Sequence, residues 1–211
     1  MKKIITVDGP AGSGKEKISK YIARRYKLYH LDSGILYRRL AYELAKKNIQ
    51  TFELYKIKKI LKNIKRLSLR KIQALRKEKI GKAASIIAKL DFVRYFINSQ
   101  QRLATKTPSK KRGFVIDGRD IGSVVFKGAD IKLYVDVDVN IRANRRYKQL
   151  IDNGEKSIYL KILKDIKLRD KTDKTRKNSP LVVPKGAKII DNSHTFKKTI
   201  AQIRNIIEGI N

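Results

Sequence analysis

The run Gly9-Pro10-Ala11-Gly12-Ser13-Gly14-Lys15 has the residue types and spacing of a phosphate cradle. Glycines let the backbone curl with its N–H groups turned inward, a helix that follows adds partial positive charge at its N-terminus, and a lysine adds a full charge. The pattern G-x-x-x-x-G-K is met from Gly9 to Lys15, but the Ser or Thr that usually comes next is replaced by Glu16 and Lys17. A second candidate is Asp32-Ser33-Gly34-Ile35-Leu36-Tyr37-Arg38. Ser33 stands at an expected helix start, where its hydroxyl would cap the helix or meet a phosphate at the same N-terminus. Arg38, on the next turn, can grip a phosphate with two parallel hydrogen bonds. Later in the chain come Arg119 and Asp120, then Arg142, Arg145 and Arg146, then the charged stretch from Arg169 to Arg176. For Arg145 and Arg146 a solvated basic helix face is an alternative, and Asp170 and Asp173 can pair with neighbouring lysines. His30 lies inside an apolar run, where a buried structural role is expected.

The elements that must position these residues read as alternating strands and helices. Residues 2–8 form a strand with the apolar run Ile4-Ile5-Thr6-Val7, and 9–26 hold the loop and its helix. Leu28 to Asp32 is a second strand, and Ile35 to Lys47 a helix with Leu36, Leu40, Ala41 and Leu44 on one face. Residues 52–107 are helical throughout by pattern: Phe52 to Leu67 carries Ile57, Ile60, Leu61 and Ile64 at helical spacing, then Arg76 to Leu90 and Phe92 to Leu103 follow. Thr105 to Arg112 reads as a basic loop. Gly113 to Asp117 and Ile131 to Val137 are strands, 141–151 and about 157–170 helices, 187–190 the last strand and 195–210 the closing helix. Such alternation gives a parallel sheet covered by helices on both faces, whose ligands sit beyond the carboxyl ends of the strands.

Composition narrows the function classes. A chain of 211 residues suffices for one α/β domain with insertions, and four prolines with twelve glycines exclude a fibrous or disordered protein. With no cysteine there is no disulfide or thiolate metal site, and two histidines argue against zinc. No apolar run approaches the roughly 20 residues of a membrane span. Met1-Lys2-Lys3 runs directly into the first strand, so neither a signal peptide nor a membrane partner is expected, and the expected location is the cytoplasm. The net charge of +33 suits nucleic-acid binding, but its basic residues are spread along the chain, and a lysine-rich bias serving a polyphosphate substrate accounts for it better.

Taken together, the motifs resemble the bacterial cytidylate kinase family. Asp8 to Lys15 is similar to its ATP loop, and His30-Leu31-Asp32-Ser33-Gly34 with Tyr37-Arg38 to its nucleoside-monophosphate motif. Ala83-Ala84-Ser85, Val93-Arg94 and Gln101-Arg102 resemble its paired helices. Asp117-Gly118-Arg119-Asp120-Ile121-Gly122 resembles its central motif, and Arg142-Ala143 with Arg145-Arg146-Tyr147 the helix beside its lid. Arg169-Asp170, Asp173, Arg176 and Ser179-Pro180-Leu181 resemble its lid and closing loop. The resemblance implies an α/β P-loop fold in three layers with a five-stranded parallel sheet. It implies a single kinase domain: core about 1–34, 113–150 and 177–211, monophosphate-binding region about 35–112, lid about 151–176. It implies a kinase that passes the ATP γ-phosphoryl group to CMP or dCMP as a monomer, without specific nucleic-acid partners. Mg²⁺ would be held through ATP phosphates and water rather than by protein ligands.

The resemblance also assigns residues. Gly9, Pro10, Ala11, Gly12, Ser13, Gly14, Lys15, Glu16, Lys17 and Arg145 would bind ATP. Ser33, Arg38, Arg119 and Arg176 would hold the monophosphate, Asp173 the ribose hydroxyls, and Ser85, Arg94 and Asp120 the cytosine edge, whose amino donor and acceptor side suit a carboxylate and an arginine. Lys15, Arg119, Arg142 and Arg169 would be catalytic, stabilising transferred charge. Two departures stand out. The family usually has Gly then Thr or Ser after the loop lysine, so Glu16-Lys17 removes a hydroxyl that would contact the β-phosphate and the metal's water shell. Between Lys47 and Arg76 the family's small β insertion is replaced by a shorter lysine-rich stretch that reads as helix. The rival reading is a basic nucleic-acid or nucleotide binder whose catalysis is impaired at Glu16-Lys17.

Overall fold

Continuous runs of Ile and Val bounded by Gly and Asp build a central sheet. The structure, a computed structural model, describes residues 3–70, 72–106 and 111–209. Strands β1 (Lys3–Asp8), β2 (Tyr29–Asp32), β3 (Gly113–Gly118), β4 (Ile131–Asp136) and β5 (Lys188–Asp191) lie in the order β2-β3-β1-β4-β5. β1 pairs in parallel with β3 and β4, so Asp8 sits opposite Gly118 and Tyr134 at the carboxyl end. Ile5 and Val7 of β1 are fully buried, as expected of a strand covered on both faces. This is an α/β sheet, as the alternation of elements predicts.

The chain divides into two compact units, Met1–His30 with Lys110–Asn211, and Leu31–Ser109. In the first, helices α1 (Lys15–Arg25), α6 (Val139–Asp152), α7 (Tyr159–Thr175) and α8 (Phe196–Glu208) accompany the sheet. Ile18 and Ile22 of α1 and Ile203 of α8 join Ile5, Val7, Val115, Leu133 and Val135 in one core. α6 and α7 share a smaller cluster of Ala143, Leu150, Ile162 and Ile166. α7 continues to Thr175, past the expected end near 170, so Asp170 and Asp173 lie on helix.

In the second unit, α2 (Ser33–Lys46), α3 (Leu54–Asn63), α4 (Glu78–Ile87) and α5 (Asp91–Lys106) pack around Leu36, Leu40, Leu44, Leu75, Ile87, Val93 and Ile97. Ile57 anchors α3 as its fully buried residue, so its truncation to Ala would cost about 2–5 kcal/mol. The expectation of helix throughout 52–107 fails at 64–70 and at 72. Ile64 turns extended after α3, and a single 3₁₀ turn, Gln73–Arg76, precedes α4. A side-chain amide on α5 replaces the helical partners: Gln100 Oε1 accepts from the Leu67 N–H at 2.9 Å, and its Nε2 donates to the Lys65 carbonyl at 3.2 Å. Leu67 is thereby buried against the core. The expected loop at 105–112 is corrected at its start, where α5 takes 105 and 106, and 107–110 lie outside the described residues, as does residue 210 of the expected closing helix.

Candidate functional site

In the sheet-bearing unit the loop between β1 and α1 is shaped by what surrounds it. A Cβ on Gly9 would meet the Val135 carbonyl oxygen at 2.5 Å, so only glycine lets the loop pass β4 this closely. Lys15 folds back over the loop: Nζ donates to the Pro10 carbonyl at 2.7 Å and to Ser13 Oγ at 3.3 Å. Burial holds its ammonium well below the ordinary lysine range, and the charge of Arg119 pushes the same way. Beneath the loop, both oxygens of Asp8 accept backbone N–H groups, from Ile121 at 2.8 Å and Gly122 at 2.7 Å. Burial nevertheless raises the Asp8 carboxyl to about 6.

The arginines of this unit are tied to the loop and to carboxylates. Arg142 is buried; it donates to the carbonyls of Val137 and Ala11, both at 3.0 Å, and meets Asp170 at 2.6 Å. Arg119 donates to Asp173 at 2.8 Å and to the Gly9 carbonyl at 3.1 Å. Arg176 reaches the other Asp173 oxygen at 3.1 Å. Burial opposes the Asp173 charge, but Arg119 and Arg176 outweigh it and hold the carboxyl below its usual range. Asp170 and Asp173 therefore pair with arginines, not with neighbouring lysines. Arg145 donates to the Asn192 carbonyl at 2.8 Å, whereas Arg146 is exposed and reaches Gln149. Arg169 is exposed, yet its charge acts on Lys15 and Asp173. Asp120 is buried. At the substituted positions Glu16 pairs with Lys20 at 2.6 Å, and Lys17 Nζ lies 4.1 Å from the centre of the Phe196 ring.

The second unit holds the remaining candidates. Ser33 is buried and already helical, with extended Asp32 in the capping place and no side-chain cap bond, so its hydroxyl does not cap α2. The cap expectation fails because the helix begins one residue earlier than that role allows. Arg38 donates to the Leu75 carbonyl at 2.8 Å, and a Cβ on Gly81 of α4 would lie 3.0 Å from its guanidinium. Arg94 is buried, donates to the Ala88 carbonyl at 3.2 Å and lies 5.8 Å from the centre of the Tyr37 ring. Ser85 is exposed on α4.

Comparison with known proteins decides the family. The family model described as cytidylate kinase matches residues 5–210. The chain belongs to the cytidylate kinase family. A cytidylate kinase of Bartonella bacilliformis is 40% identical over 90% of this chain and 86% of its own length. That of Bartonella tribocorum is 39% identical over 98% and 95%, and that of Rickettsia akari 37% identical over 97% and 91%. The fold is shared more widely: a shikimate kinase structure from Bacteroides thetaiotaomicron covers 99% of both chains with a TM-score of 0.51 at 10% identity.

Two residues of the loop region, one of them already within the central motif, received no role from the sequence. Asp117 at the end of β3 is buried, and its charge acts on Lys15; Oδ1 has no hydrogen-bond partner, and Oδ2 lies 3.5 Å from His30 Nε2. An acidic residue ending the strand beside β1 was a readable signal for it. Asn192, just after β5, donates through Nδ2 to the Ser13 carbonyl at 2.8 Å. No local pattern marks it.

Proposed function

We propose that this chain transfers the γ-phosphoryl group of ATP to CMP and dCMP, giving ADP and CDP or dCDP. The observation that carries the reading, beyond family membership, is the loop itself: a buried lysine folded across curled backbone, with Arg119 and Arg142 bonded to its carbonyls at Gly9 and Ala11. Phosphoryl transfer asks a protein for alignment and charge neutralisation rather than a side-chain nucleophile. Lys15 and the loop N–H groups hold the ATP phosphates, with Arg145 beside them. Arg119, Arg142 and Arg169 balance charge on the transferring group. Ser33, Arg38, Arg119 and Arg176 take the CMP phosphate, Asp173 the ribose hydroxyls, and Ser85, Arg94 and Asp120 the base. In this reading residues 35–112 serve monophosphate binding and 151–176 act as the lid. The enzyme works as a cytoplasmic monomer; among the described residues no helix is long and apolar enough to cross a membrane.

Mg²⁺ fits this site through ATP phosphates and water. Among the described residues no group of three or more His, Asp or Glu could cage a metal. The unpartnered buried oxygen of Asp117, whose charge already acts on Lys15, suits a metal-bound water. When bound, the ion neutralises phosphate charge. Glu16 pairs with Lys20 and Lys17 lies over the Phe196 ring, and in this reading activity is retained despite the missing hydroxyl.

The test is product formation from MgATP with CMP, dCMP and UMP. CDP and dCDP are expected, and Glu16→Gly with Lys17→Thr should raise turnover by restoring the hydroxyl. No CDP from either protein would overturn the reading. A steep loss of nucleic-acid affinity with salt, in a protein that fails to phosphorylate CMP, would favour the polyanion-binding alternative.

A further inference from the structure

We infer that Asn192 is the positioning residue that sets the phosphate-binding shape of the Gly9–Lys15 loop. This inference rests on the reading of that loop as the ATP site. Asn192 is buried, and each of its polar groups is engaged. Nδ2 donates to the Ser13 carbonyl at 2.8 Å, and Oδ1 accepts from the Thr199 hydroxyl at 2.8 Å. Its N–H donates to the Asp136 carbonyl at 3.1 Å, and its own carbonyl accepts from Arg145.

Peptide planarity turns this clamp into control of the loop. The Ser13 carbonyl and the Gly14 N–H belong to one trans peptide and point in opposite directions. Pinning the carbonyl toward Asn192 therefore fixes the Gly14 N–H away from it, and a loop of inward N–H groups depends on that orientation. Gly14 has φ 86°, and a Cβ there would lie 2.5 Å from Asn192 Nδ2, so the amide occupies space that only glycine leaves. The chemistry at position 192 is specific. The side chain must donate to Ser13 and accept from Thr199, which is fully buried. An aspartate could accept from Thr199 but would set a carboxylate against the Ser13 carbonyl. The corner after β5 is tied to α1 a second time, where Phe196 receives Lys17 on its face and the edge of Tyr21. The loop thus takes its support from this corner, while positions 16 and 17 contribute no hydroxyl.

The test compares ATP and CMP dissociation constants and steady-state kinetics for Asn192→Ala, Asn192→Asp and Thr199→Val. Losing the clamp should weaken ATP about tenfold in the alanine variant and further in the aspartate variant, with CMP binding held within about twofold. Thr199→Val should shift ATP in the same direction, and the double variant Asn192→Ala with Thr199→Val should be no worse than Asn192→Ala, because both act through one contact. Unchanged ATP affinity in both Asn192 variants overturns the inference. So does a parallel loss of ATP and CMP with a lowered Tm, the mark of a merely structural role. A wild-type protein that binds ATP without making CDP would defeat the kinase reading and leave this comparison intact.

Discussion

The candidate arginines around the loop and the candidate Arg38 of the other unit are held in different ways. Around the loop, Arg119, Arg142 and Arg176 are fixed by carboxylates, at 2.8, 2.6 and 3.1 Å. In the unit of residues 31–109, Arg38 is held by the main-chain carbonyl of Leu75. The contrast extends to the interior. Asp8, Asp117 and Asp120 are buried in the first unit, whereas the buried polar side chains of the second, among the described residues, are Ser33, Arg39, Arg94, Asn98, Gln100 and Gln101. The guanidinium charge assists both kinds of bond, and a carboxylate partner adds a second, opposite charge to it. The loop side is therefore pre-set by fixed charge at the expense of buried ionisable groups. Arg38, held at a neutral carbonyl, should yield to smaller perturbations.

The largest effect should follow from removing the loop's own cation. Lys15→Met keeps most of the side chain's volume and is expected to lower kcat/KM about 10³-fold, with CMP affinity near wild type, since charge aimed at the transferring group acts mainly in the transition state. An equal loss of CMP affinity would show that Lys15 is not confined to the ATP side. Next is the buried Asp8. Its carboxyl is raised from 3.8 to about 6 in the folded protein, so the native state binds more protons than the unfolded chain between those values. Its contribution to stability is full below pH 3.8 and lost as pH rises through about 6. Relative to Asp8→Asn, the wild type should lose at most about 3 kcal/mol across that window. Urea midpoints read the slope; a constant offset from the two N–H donors leaves the slope untouched, and a flat difference would show ordinary ionisation. Asp173→Asn should come third. It weakens the hold on Arg119 and Arg176 together and is expected to cost about 30-fold in kcat/KM for CMP, with ATP affinity little changed.

The loop and the strands were legible because their signals are local. Glycine spacing from Gly9 to Gly14 and uninterrupted Ile/Val runs need no tertiary information. The failure at the end of α3 and the missed Asn192 share a long-range cause. Helical spacing continues to Leu67, but the Gln100 amide, 33 to 35 positions away, captures the backbone at Lys65 and Leu67. Asn192 meets Ser13 across 179 positions, and Arg142 meets Ala11 across 131. Nothing near either residue announces its partner. The site residues in the two units were suggested through resemblance, and the structure supplies for each a partner or an exposure that resemblance could not. Ser33 illustrates the limit: its place at a helix start was legible, but the one-residue offset that frees its hydroxyl from capping depends on the dihedral angles of Asp32.

The smallest predicted effect tests the comparison where it is sharpest. Gly81 faces Arg38 without a side chain, and a methyl group there would lie 3.0 Å from both terminal guanidinium nitrogens. Helix propensity alone favours alanine over glycine by about 1 kcal/mol, so Gly81→Ala should hold or raise the stability of α4. The guanidinium is the free end of a flexible side chain, and the Leu75 carbonyl that holds it is neutral. It can move at low cost, and when it moves the monophosphate loses its aligned partner. KM for CMP should rise about fivefold, with KM for ATP and Tm unchanged or, for Tm, slightly higher. A matching perturbation on the loop side would have to break a carboxylate pair to shift Arg119 as far. If Gly81→Ala leaves KM for CMP where it was, then Arg38 is held as firmly as the arginines around the loop, and the difference between a carboxylate-held and a carbonyl-held arginine disappears.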